Sequence, residues 1–432
     1  MKTNREIAEY TLEALRKAGA DHAQCIVSHG NVDELNADSG EFSLMRTLFN
    51  SSVSMKVLKD GKKGTTSVNK TDKETIDNAV KDCIAAAESS VADRAESIAE
   101  LEKNEHFVVG VVEPDRDKLF DRLQEYLQDV SKEYPKVVIE QLISSFTRAS
   151  TLLMNTNGVV YEYDYGGYDL SSMFSASEGE KSSSFVGYGG DFENLDNKLI
   201  DFGMMRILLE ESEKQLDTKP VEGKFVGKIV ITPACLDSIL MVIFRNFISD
   251  TMLINGTSMW KDSLGKKVAS DKLSVSTVPL DKRVVCGERF TAEGYRSENM
   301  DIIKDGVLKN FMLSQYGANK TGFTRAKNLS YNFAVQPGDE SHDEIIRSID
   351  RGILLNRFSG GMPSVNGDFS GVAKNSFLIE NGKVTAPISE TMISGNLADM
   401  LNNVIAVSAD TVCDGVSILP WIAFDGITIS GK

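Results

Sequence analysis

Apolar residues recur at helical spacing in Ile7, Tyr10, Ala14, Leu15 and Ala18, behind a Thr3/Glu6 capping box and ahead of Gly19, so the chain should open with an amphipathic helix. Residues 23–29 and 42–58 read as extended. Lys59-Asp60-Gly61-Lys62 places an Asp-Gly hairpin turn between residues 53–58 and 64–68. Thr71 and Glu74 cap a second helix, with Ile76, Val80, Cys83, Ile84 and Ala87 on one stripe. The Ala-, Ser- and Glu-rich stretch 88–105 is weakly patterned and reads as a connection. From Phe107 the pattern restarts. A helix over 115–133 carries Leu119, Leu123, Tyr126, Leu127 and Val130 and stops before Pro135. Strands follow over 137–145, 149–155 and 159–165, the last pair joined at Asn157-Gly158, and then a helix over 192–217. From Val221 the character changes again. A strand over 225–231 leads to Thr232-Pro233, which opens a helix running to about Ile248. Asp305-Gly306, Asn381-Gly382 and Asp425-Gly426 each lie between β-prone runs and predict three hairpins. The expected fold class is α+β, with an N-terminal α/β module (1–88), a middle α/β module (106–218) and a C-terminal domain (221–432) dominated by antiparallel sheet.

Composition narrows the setting. The longest wholly apolar run, Ile239 to Phe244, is far below the roughly 20 residues that span a bilayer. The opening Met1-Lys2-Thr3-Asn4-Arg5-Glu6 has no apolar core of a signal peptide behind it, so a soluble cytoplasmic protein is expected. With 63 acidic and 47 basic residues, the net charge of −16 repels phosphate backbones, and nucleic-acid binding is not expected. The five cysteines are scattered and odd in number, with no C-x-x-C, as suits reduced thiols. Phosphate-loop, nucleophile-elbow, dinucleotide-binding and H-E-x-x-H motifs are all missing.

Four features could carry chemistry. On a strand, Cys25 and His29 share a face but stand well apart, and His22 points the other way, so the three should not converge on a metal. His342 lies in Asp339-Glu340-Ser341-His342-Asp343-Glu344, where a carboxylate-tuned base and an acidic first helical turn compete. Capping explains every residue of that run and is preferred. Tyr161, Tyr163 and Tyr165 fall on one strand face, more simply the half-buried side of a sheet than a peptide platform. The glycine-rich Phe358-Ser359-Gly360-Gly361-Met362-Pro363, followed by Asn366-Gly367-Asp368-Phe369-Ser370-Gly371, allows either close approach of a substrate strand or a long loop between sheet elements.

That last stretch, with Asn375-Ser376-Phe377-Leu378-Ile379-Glu380-Asn381-Gly382-Lys383 and Ile393-Ser394-Gly395-Asn396-Leu397, resembles the C-terminal signature of the TldD/PmbA family. Members of that family have been called modulators of DNA gyrase and are also classed as metalloproteases. Ser54-Met55-Lys56-Val57-Leu58-Lys59-Asp60-Gly61-Lys62-Lys63-Gly64 is similar to the family's first domain. Gly256-Thr257-Ser258, Leu264-Gly265 and Val268-Ala269-Ser270 are similar to the opening of its third.

The resemblance implies one of two kinds of subunit. TldD-like subunits carry an H-E-x-x-x-H helix that binds the catalytic metal together with a later cysteine. PmbA- or TldE-like subunits lack it, and the two kinds pair to degrade unfolded peptides. Counted back without gaps from Gly256-Thr257-Ser258, the motif positions fall on Met241, Val242 and Asn246, and no histidine occurs between His106 and His342. Neither Met241 nor Val242 supplies a nitrogen ligand or an acid–base carboxylate, and asparagine is a poor zinc ligand. The resemblance therefore implies the metal-free branch, with no catalytic residue of its own and zinc only in a TldD-like partner. Cys413 stands near the expected place of the metal-binding cysteine, as a remnant ligand or, by preference, a small buried cysteine. Gly360, Gly361, Asn375, Gly395 and Asn396 are candidates for lining a peptide cleft. The alternative is a non-enzymatic homodimer that binds peptides or regulates another protein.

Overall fold

The computed structural model describes residues 3–432; Met1 and Lys2, which begin the opening run considered above, lie outside the described residues. Among the described residues no helix is long and apolar enough to cross a membrane. The α+β class is borne out. Two sheets carry the fold, one mostly antiparallel and one mixed.

The first sheet is built around β1 (His22–Asp38), β2 (Glu41–Lys59), β3 (Lys62–Val68), β4 (Glu105–Gly110), β5 (Val137–Asn155) and β6 (Val160–Glu178), in the order β3-β2-β1-β5-β6-β4. The segments 1–88 and 106–218 thus share one sheet. The inner strand β1 has two hydrogen-bonding edges; β2 fills one and β5 the other, with Cys25 opposite both Met55 and Met154. Two short strands, Lys181–Ser182 and β7 (Val186–Phe192), pair with β6. The amphipathic helices α1 (Asn4–Lys17) and α2 (Lys73–Ser89) bury Ile7, Leu15, Ile76 and Cys83 against Cys25, Val27 and Val57. Helices α3 (Arg116–Glu133) and α4 (Met205–Lys214) cover the far end of the sheet through Leu123, Tyr126 and Leu209, against Leu35 and Phe146. The side chains set the alternation of the strands, and the helices supply the apolar stripes that complete each core.

The second sheet has fourteen strands. At its centre β8 (Lys224–Ile231) runs parallel to β9 (Arg351–Leu355) and antiparallel to the long last strand. Strands β10 (Arg357–Gly360), β11 (Asp368–Lys374), β12 (Met392–Asn396), β13 (Val404–Cys413) and β14 (Ile418–Ser430) belong to the same sheet. Helix α5 (Pro233–Phe247) packs Leu236, Leu240, Phe244 and Phe247 onto this sheet, with Pro233 in its first turn.

Several local expectations need correction. The stretch 192–217 is not one helix; only Met205–Lys214 is α-helical, flanked by 3-10 turns at Leu199–Asp201 and Gln215–Asp217. Asn194 accepts from the Asp196 amide with its own side chain, the kind of local bond that competes with a helix start. Residues 137–145 and 149–155 form a single strand, and the pattern breaks because Ser144, Ser145 and Phe146 are buried in succession. Asp425-Gly426 makes no hairpin. It lies inside β14, where Gly426 at φ +81° sits opposite the register shift between Gly227 and Ile229, and so forms a bulge. Asp305-Gly306 and Asn381-Gly382 do turn hairpins, Met300–Lys304 with Val307–Leu308 and Ser376–Glu380 with Lys383–Ser389.

The acidic run before His342 is a cap. Ser341 and Glu344 form a reciprocal capping box on α6 (His342–Arg347), while the imidazole stacks on Trp421 at 4.5 Å and its Nδ1 lies 3.0 Å from Asp410 Oδ2. Ser341→Ala should cost about 1 kcal/mol, read as a lowered urea midpoint. No measurable loss would mean that the box adds nothing to the helix.

Candidate functional site

Helix α5 presents two faces. One is buried in the core. The other, at Ser238, Ile239 and Val242, borders an apolar cavity of about 200 Å³ closed on the opposite side by Phe358, Gly360, Gly361, Met362, Pro363 and Phe369. The spacing of Ser238, Val242 and Asn246 keeps them on one stripe. Asn246, one turn on, donates from Nδ2 to the Ser364 carbonyl at 3.1 Å and so ties the helix to the loop 361–367. Strand β10 is joined to β11 alone, so its other edge is free of strand partners among the described residues. Gly360 and Gly371 face each other across that pair. A Cβ at Gly360 would lie 2.6 Å from Phe358 Cζ, so glycine lets the ring fold over the strand.

The loop is braced from below. Asn396 caps α7 (Leu397–Asn402) by accepting from the Ala398 and Asp399 amides, while its Nδ2 donates to the Asn366 carbonyl at 2.7 Å and to Asp368 at 2.9 Å. Gly395 lies under Phe369, opposite it in the ladder between β11 and β12. Of the five cleft candidates, Gly360 and Gly361 line the cavity, while Asn396 and Gly395 support its wall. Asn375 lies elsewhere. Held at φ +51°, it donates to the Ser184 carbonyl at 3.0 Å, on the side facing the first sheet. The apolar lining Ile239, Met362 and Phe369 was missed by sequence reasoning, because such residues carry no mark that separates a cavity wall from a core.

The motif positions do not fit a zinc ion. Met241 and Val242 are apolar side chains packed against the core, and the Asn246 amide is engaged with Ser364. Among the described residues no group of three or more His, Cys, Asp or Glu side chains is placed to hold a metal. Cys413, expected as a small buried residue, is half-buried, since it ends β13 at the rim of the sheet; its thiol donates to the Arg283 carbonyl at 3.6 Å. Burial pushes that thiol up. Cys413 pairs with Ile418, next to Ser417, whose Oγ donates to Asp237 at 2.7 Å. That contact belongs to the first turns of α5, roughly 13 Å along the axis from Asn246 at about 1.5 Å per residue.

The other sequence candidates lie on the first sheet, where His29 also borders a surface cavity. His22 meets Asn157 Oδ1 at 3.1 Å, His29 meets Asn4 Oδ1 at 2.5 Å, and Cys25 is fully buried between sheet and helices. Tyr161 stacks on Phe290 at 5.3 Å, so the tyrosine face is covered by the C-terminal segment.

Two family models match the chain: the PmbA/TldA metallopeptidase domain 1 over residues 23–87, and the PmbA/TldA metallopeptidase C-terminal domain over residues 223–431. The metalloprotease PmbA of Escherichia coli O157:H7 is 33% identical over 152 residues, a match spanning 34% of each chain. The metalloprotease PmbA homolog of Haemophilus influenzae is 23% identical over 99% of this chain and 96% of that one. The crystal structure of TldE from Thermococcus kodakarensis superposes with a TM-score of 0.87 over 98% of this chain and 100% of that one, at 18% identity, a likeness of fold.

Proposed function

The chain belongs to the PmbA/TldD metallopeptidase family, and from that premise we propose that it is a metal-free, TldE-like subunit that works with a metal-bearing TldD-like partner on unfolded peptides. The observation that carries this reading is α5. It packs one face on the core and borders a cavity with the other, and it carries Met241, Val242 and Asn246 at the positions to which the resemblance assigns two ligands and a base. Without them, the chain's own residues can shape and admit. The free edge of β10 beside α5 offers main-chain groups to an extended peptide, and pairing through the main chain demands an unfolded substrate while asking little of its sequence. The apolar cavity would take a side chain of that peptide.

The test is affinity purification from the native cell, with metal analysis of the complex and of the separated subunits. The expected result is a co-purifying H-E-x-x-x-H subunit that carries the zinc, and an isolated chain with neither stoichiometric zinc nor peptidase activity. Tight zinc in the isolated chain, with intrinsic cleavage abolished by chelators, would overturn the assignment.

A further inference from the structure

Side chains alternate along β10. Phe358 lines the apolar cavity, so Arg357 points to the opposite face, and so does Lys374, which faces Arg357 across the ladder with β11. Two like charges set directly opposite each other are unfavourable. Among the described residues neither meets a carboxylate, although the chain has 63 acidic residues to draw on, and the Lys374 ammonium has no partner of any kind. The Arg357 guanidinium lies 4.0 Å over the Phe185 ring and donates from Nη1 to the Phe185 carbonyl at 2.8 Å. Burial pushes its pKa down, with no anion beside it to raise it. Asn375, which the cavity leaves unused, donates to the Ser184 carbonyl and so fixes the residue before Phe185. Ring and carbonyl hold the guanidinium plane in place, and its remaining N–H donors stay free.

Building on the reading that the chain admits unfolded peptides, we infer that Arg357 and Lys374 together bind a carboxylate of the peptide, either its C-terminal group or an acidic side chain. The planar guanidinium matches the two oxygens of a carboxylate, and the ammonium facing it adds a point charge. A peptide paired along the free edge of β10 sends alternate side chains to the two faces of the strand, one toward the apolar cavity and the next toward Arg357 and Lys374. Most of a chain with net charge −16 repels an acidic peptide, so an opposed pair of cations without a counter-charge is where its negative group can settle. Asn375 acts as a positioning residue, through the segment that carries Phe185.

The test is fluorescence anisotropy of the full chain with one unstructured peptide, Gly-Ser-Gly-Leu-Ser-Gly-Ser, carrying a neutral dye at its N-terminus. It is made as a C-terminal amide, as the free acid, and as an amide with glutamate replacing the serine after leucine. One of the two carboxylate forms should bind about tenfold more tightly than the plain amide at low salt and lose that advantage at high salt, and which form does so names the source of the carboxylate. Arg357→Gln and Lys374→Gln should each bring that form down to the level of the amide; the second decides the matter if the first disturbs the fold. Asn375→Gly, which keeps the backbone at φ +51° but releases Ser184, should narrow the same difference. Equal binding of all three forms, or a preference that survives Lys374→Gln, would overturn the carboxylate site and leave the peptide reading standing. No binding of any form would overturn the peptide reading and this site with it.

Discussion

Phe247→Ala lowers the unfolding free energy by about 3–5 kcal/mol, the cost of emptying a fully packed aromatic site. The ring is wholly buried in the last turn of α5 and lies 4.7 Å from the Trp260 ring, and the Phe247 carbonyl accepts from the Ser258 hydroxyl. A Cβ built on Gly367 would come within 2.9 Å of Phe247 Cζ, so the loop that closes the cavity leans on this side chain. Its removal should therefore loosen the site as well as the core. Tryptophan fluorescence during urea unfolding, to which Trp260 and Trp421 both contribute, reads the change. A loss below about 1 kcal/mol would show that the neighbours collapse into the space and that the ring is no anchor.

Glu211→Gln should stabilise the protein at alkaline pH and leave it unchanged in acid. Glu211 lies on α4 where the first sheet meets the second, its Oε2 accepting from Asn356 Nδ2 at 2.6 Å, and burial pushes its carboxyl from 4.5 up to about 7. The folded protein then holds this proton more tightly than the unfolded chain does. Stability present below about pH 4.5 is lost as the pH rises through 7, and amounts to about 3 kcal/mol above pH 8. Glutamine keeps the neutral form and the hydrogen bond at every pH, so the variant should match the wild type near pH 4.5 and exceed it above pH 8. Asp191, pushed up to about 6 by burial and by the charges of Asp169 and Asp414, adds a slope of the same sign to both proteins and cancels in the comparison. Equal stability at pH 8 would mean that Glu211 is solvated in the folded state.

Both effects turn on contacts between residues far apart in the chain, and there the reach of the sequence ends. Helix α5 and its Pro233 start were legible, because helical periodicity and the preference of proline for a first turn are local properties of the side chains. The same holds for the caps at Thr3 and Ser341 and for the turns at Asp60-Gly61 and Asn381-Gly382. Asp425-Gly426 shows the limit, since a glycine at positive φ serves a bulge as readily as a turn, and only the strand facing it decides. Tertiary structure alone threaded β1 between β2 and β5, and brought Gly360 and Gly361 to Val242 while sending Asn375 to the other sheet. Strand partners and cavity walls are chosen by the hydrogen-bonding edges and apolar faces that remain once each element has formed, and no single segment carries that information.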